Sequence, residues 1–89
     1  MFKSEDPSVF GEFYADLQGI YLSGANLSGA NLTDADLSGA NLSGANCRKA
    51  KLKSEQLQNV FSIDGADFRD TGIKPIDLPL NKGTPITDG

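Results

Sequence analysis

The sequence predicts an all-β solenoid, a chain wound as a square coil and stacked on itself. Three observations predict it. From Ala15 to Leu57 the residues fall into fives: ADLQG, IYLSG, ANLSG, ANLTD, ADLSG, ANLSG, ANCRK, AKLKS, then EQL. Each block centres on one large apolar residue, in order Leu17, Leu22, Leu27, Leu32, Leu37, Leu42, Cys47, Leu52 and Leu57. Two residues before each centre stands a small residue, nearly always Ala.

A period of five matches neither the helical period of about 3.6 nor the strand period of about 2. A helix would spread Leu27, Leu32, Leu37 and Leu42 around its circumference, in glycine-rich sequence that disfavours helix. A flat strand would alternate them between faces. The pattern is explained if the chain turns a corner in every block. The centre and the residue two before it then face inward, and the other three face out. Gly19, Gly24, Gly29, Gly39 and Gly44 close their blocks, where a tight turn needs positive φ. The outward positions hold Asn, Asp, Ser and Thr, which suit turns and water. Four such corners close a coil of about twenty residues, and coils stacked about 4.8 Å apart bury the leucine columns. Counting in twenties, Leu17, Leu37 and Leu57 share a column, as do Leu22 and Leu42, Leu27 and Cys47, and Leu32 and Leu52.

This A-(D/N)-L-x-x tandem resembles the pentapeptide-repeat family. The resemblance implies a right-handed quadrilateral β-helix, with the central Leu or Phe and the preceding Ala pointing inward. The family is functionally diverse, so the fold it implies is more specific than any activity.

Residues 1–14 stand outside the repeat. Asp6-Pro7 reads as a helix start, with Asp as N-cap and Pro at the first helical position. Val9, Phe10, Phe13 and Tyr14 follow near helical spacing. The expectation is a short helical or turn cap covering the open end of the first coil, which would otherwise bare apolar side chains and strand edges. The alternative is an aromatic patch for a partner, formed by Phe10, Phe13 and Tyr14.

Beyond Leu57 the register slips. Ala66-Asp67-Phe68 makes Phe68 a centre and Ile63 the one before it, six residues after Leu57. One residue is therefore inserted near 58–62, at a bulged corner. Ile63, Phe68, Ile73 and Leu78 then extend the four columns, giving about three coils over residues 15–79. Pro75 and Pro79 remove backbone donors and are expected to end the stack. Residues 80–89 show no inward pattern and read as an extended C-terminal arm.

The inventory for chemistry is bare. With no His in 89 residues, no His-based triad, proton shuttle or imidazole metal site can form. Cys47 is the one cysteine, which excludes an internal disulfide and a cysteine zinc site; its register makes it a buried small hydrophobe. Asp34 and Asp36 flank inward Ala35, yet a convex rod offers no cleft to shift their pKa. Asp64, Asp67 and Asp70 lack calcium-loop spacing. No cofactor or metal is expected, and no enzyme activity. Net charge −4 argues against ordinary nucleic-acid binding. No apolar run reaches membrane-spanning length and no signal peptide opens the chain, so neither membrane nor export is expected.

A protein partner is what this leaves. The expected function is a non-enzymatic structural and protein-interaction module held in a larger assembly. Its candidate contacts are Phe10, Phe13 and Tyr14, the basic run Arg48, Lys49, Lys51 and Lys53, and the arm residues Pro79, Leu80, Pro85 and Ile86. Small single-domain chains with extended arms suit decoration or cement proteins on virus (phage) capsids, which would place the chain on a capsid protein in the virion, and otherwise in the cytoplasm. Two alternatives stand beside it. Some members of the family resemble an acidic DNA duplex and bind DNA gyrase, although three coils are short for this and the run from Arg48 to Lys53 interrupts an acidic face. A bacterial regulatory adaptor is the other. A surface of Ser, Asn and Asp gives no apolar seam for a homo-oligomer.

Overall fold

The computed structural model describes residues 16–88. The cap expected over 1–14, with Phe10, Phe13 and Tyr14, lies outside the described residues.

One block shows why the sequence repeats. In Ala40-Asn41-Leu42-Ser43-Gly44, Ala40 and Leu42 are fully buried. Asn41 lies between them and meets the preceding coil: its N–H donates to Ile20 O (2.9 Å) and its carbonyl accepts from Leu22 N (2.8 Å). Its side chain has a second task. Oδ1 accepts from Ser43 N (3.0 Å), an Asx-type bond that starts the corner. Ala45 N donates to Leu42 O (3.0 Å) and closes the turn, with Gly44 left-handed at φ 68. The same side-chain bond recurs at Asp16, Asn26, Asn31, Asp36, Asn46 and Asp67. Asn or Asp in the second position is thus a turn-former, beyond merely facing water. Asp34, Lys49 and Asp70 take the left-handed corner without being glycine.

The coils pair in parallel at a spacing of twenty: Asp16 with Asp36, Tyr21 with Asn41, Asn26 with Asn46, Asn31 with Lys51. Each pairing is an isolated bridge, and the described residues contain no continuous strand or sheet. This differs from the strands that an all-β assignment implies. With a corner in every block, too few consecutive residues stay extended for a ladder to propagate. The architecture is a repeat solenoid stitched by single bridges.

All the column residues are buried (Leu17, Leu27, Leu32, Leu37, Leu42, Cys47, Leu52, Leu57, Ile63, Phe68, Ile73 and Leu78) except Leu22, which is partly buried against the same core. The inserted residue is Phe61. Beyond it the pairing spacing becomes twenty-one, as in Asn41 with Ser62 and Asn46 with Asp67. Phe61 N donates to Ala40 O (2.9 Å), while Leu42 N donates to Ser62 O (2.8 Å). Two residues thus oppose one, the arrangement of a β-bulge. Val60 takes the small inward position and is fully buried, and Phe61 is pushed out.

At Ser54–Leu57 a short 3-10 turn replaces a regular corner. Gln56 N is drawn into that turn, donating to Lys53 O (3.0 Å). The Gln56 side chain takes over the missing link to the preceding coil: Nε2 donates to Leu32 O (2.8 Å) and Ala35 O (2.9 Å), and Oε1 accepts from Lys53 N (2.7 Å). Gln56→Ala removes all three bonds, leaving Ala35 O without this donor and Lys53 N without this acceptor, while Leu32 O keeps Ala35 N. We expect a loss of about 1–3 kcal/mol in denaturant unfolding, with Gln56→Glu recovering little because a carboxylate cannot donate.

The chain does not leave the stack at Pro75 and Pro79. Short 3-10 turns cover Pro75–Asp77 and Leu80–Lys82, and residues 82–86 then lie along the third coil. Ile63 N donates to Lys82 O (2.9 Å), Gly65 N to Thr84 O (3.0 Å) and Phe68 N to Ile86 O (2.7 Å), while Ile86 N donates back to Ala66 O (2.7 Å). The segment expected as an arm is extended but docked. Its attachment is through the main chain, which needs no inward side-chain pattern.

Candidate partner-binding surfaces

The basic run does not gather into a free positive corner. Arg48, Lys49, Lys51 and Lys53 are all exposed, but Arg48 Nη2 pairs with Asp70 Oδ2 at 3.1 Å. Beside it Arg69 grips Asp67: Nε lies 3.0 and 3.2 Å from the two oxygens and Nη2 lies 2.7 Å from Oδ2. The Arg69 side-chain hydrogen bonds hold the Asp67 carboxyl below its ordinary value, and the same bonds raise the Arg69 guanidinium. Both arginines on this side are therefore paired with carboxylates. Lys51 and Lys53 border a cleft of about 260 Å³ with Thr33, Asp34, Glu55 and Gln56, where acidic and basic groups are mixed.

Asp64, Asp67 and Asp70 each have their own protein partners, namely Thr84 N (3.0 Å), Arg69 and Arg48. Among the described residues no group of three or more His, Cys, Asp or Glu could hold a metal. Asp36 Oδ2 accepts from Gln18 Nε2. Burial pushes the Cys47 thiol up to about 12, with the Asp67 charge adding to it. No helix of the described residues is long and apolar enough to cross a membrane.

The exposed apolar side chains are more telling. Tyr21 is 74% exposed and Phe61 67%. Tyr21 pairs with Asn41 and Phe61 N donates to Ala40 O beside that pair, so the two aromatics lie on one side of the stack, two coils apart. Leu80, 94% exposed, precedes by two residues the Lys82 that pairs beneath this side. Of the other arm residues, Pro79 and Pro85 are half-buried and Ile86 is exposed along the docked segment. A further open hollow of about 500 Å³ lies against Ile73, Lys74, Pro75, Ile76 and Asp88, with Ile76 almost wholly exposed. Sequence reasoning missed Tyr21, Phe61 and Ile76. Tyr21 carried a signal, since it is the one aromatic at a second block position.

Stacked five-residue turns around a leucine axis make the described residues a repeat solenoid. Residues 20–54 match the family model for pentapeptide repeats, in eight copies. Neither the curated proteins nor the solved structures give a match.

Proposed function

We propose that this chain is a non-enzymatic protein-interaction module, a small rigid body that carries a partner on its Tyr21–Phe61 side within a larger assembly. The observation that carries this reading is the pair of exposed aromatics on one side of the coil stack. Large aromatics left in water on a rigid scaffold are the usual anchors of protein interfaces. In its finer form the scaffold is the right-handed quadrilateral β-helix of the family, supported by parallel bridges at a spacing of twenty. The assembly we name for it is a virus capsid, with the chain as a decoration protein in the virion. The large apolar side chains exposed on so small a body support that placement.

Tyr21→Ser with Phe61→Ser tests the reading. Both side chains point outward, so the circular dichroism spectrum and melting temperature are expected to stay near wild type. Partner capture, on capsids or from the source cell, is expected to weaken about tenfold or more. Unchanged capture by the double variant overturns the assignment of that side. Gyrase inhibition that follows the acidic residues and ignores Tyr21 and Phe61 would favour the DNA-mimic alternative.

A further inference from the structure

We propose that residues 82–88 form a displaceable strand, and that the edge they occupy on the third coil accepts the same segment of a second copy of this chain. The docked segment is held chiefly by hydrogen bonds, with Lys82, Pro85 and Thr87 only partly buried. Four main-chain bonds join it to Ile63, Gly65, Ala66 and Phe68. Two carboxylates finish the attachment: Asp64 Oδ1 accepts from Thr84 N (3.0 Å) and Asp88 Oδ2 accepts from Asp70 N (2.8 Å). Yet no described residue beyond Leu78 is buried. The centre positions of this partial coil fall to Gly83 and Thr87, where the coils above place Leu42 and Ile63, or Cys47 and Phe68, and its small inward position falls to the half-buried Pro85, beneath Ala45 and Ala66. A segment paired through its backbone, with no fully buried side chain to anchor it, belongs to the low-stability end of a fold and opens locally.

The edge left behind is the opposite kind of surface. Ile63 and Phe68 are fully buried with the segment in place, and opening bares their coil together with the Ile63, Gly65 and Phe68 N–H groups. Such an edge is a template for strand addition. Its demands are specific. Gly83 sits at φ 110, and a Cβ there would lie 2.6 Å from Asp64 Cα and 2.9 Å from Asp64 N. The incoming strand therefore needs glycine opposite Asp64. It also needs an N–H one residue later for Asp64 and a carboxylate five residues after the glycine for Asp70. Residues 82–88 of a second copy satisfy all three. The hinge between Leu78 and Lys82 is short, and short hinges favour exchange between copies over reclosure within one.

Hydrogen exchange on the wild-type chain tests the opening. The Ile63, Gly65 and Phe68 amides, which donate into the segment, are expected to exchange at least roughly tenfold faster than those of Leu42, Gly44 and Cys47, which donate into the third coil. Sedimentation tests the exchange: wild type is expected to dimerise with rising concentration, and Gly83→Ala to stay monomeric. A fluorescent peptide spanning Asn81–Gly89 is expected to bind the Gly83→Ala chain at least about tenfold tighter than wild type, whose own segment competes. The same peptide with alanine for its glycine is expected not to bind. Phe68 exchanging as slowly as Leu42 overturns the proposal. So does a wild-type chain that remains monomeric at about 1 mM, whatever the peptide does.

Discussion

Phe68→Ala should cost more stability than any other truncation of a central column, about 3–5 kcal/mol. Phe68 is the one aromatic centre among the described columns and is fully buried. Its backbone is engaged on both sides: Cys47 N bonds to the Asp67 carbonyl just before it, and its own N–H reaches Ile86 O. Alanine leaves a void at the axis between Cys47 and the docked segment. Single coils cannot repack independently, because each is buried only by its neighbours. Phe68→Leu, which restores the residue found at most other centres, should recover most of the loss. Urea unfolding of the three chains measures it. A Phe68→Ala midpoint within about 0.5 kcal/mol of wild type would mean that this part of the axis is not packed.

Raising the pH should unfold the protein through Cys47. An unfolded thiol ionises near 9.0, whereas the buried one holds its proton to about 12. Between those values the folded chain carries a proton that the unfolded chain has released. Stability is therefore whole below pH 9 and falls as pH rises toward 12, by about 1.4 kcal/mol per pH unit and about 4 kcal/mol in all. Cys47→Ala removes this dependence at the cost of a small cavity, so its stability should be flatter over the same interval. Thermal melts of both chains at stepped pH decide the matter, and parallel curves would exclude the thiol as the cause. By the same burial, thiol reagents should label Cys47 only on unfolding.

The leucine axis was legible because it depends on one residue in five repeating without a gap. Columns from Leu17 to Leu57 follow from counting alone. The slip after Leu57 was legible as a count but not as a place. Val60 and Phe61 are adjacent and both apolar, and only the backbone shows that Val60 N-terminal to the bulge goes inward while Phe61 goes out. The docked segment was invisible for a different reason. Its attachment uses main-chain groups and the Asp64 and Asp88 side chains, which leave no periodic apolar mark. The ion pair of Arg48 was hidden because sequence distance conceals the neighbours one coil on: Asp70 stands 22 residues from Arg48 and meets it in space. Tyr21 and Phe61 are 40 positions apart in the chain, and share one side of the stack only because that separation is two turns of the coil.

The extra residue at Phe61 shifts all later numbering yet displaces no side chain from the interior. Length changes at such a rim site are silent to the packed spine. Descendants of this sequence can therefore grow or lose outer loops there, and try new recognition elements, while the spool that displays them winds unaltered.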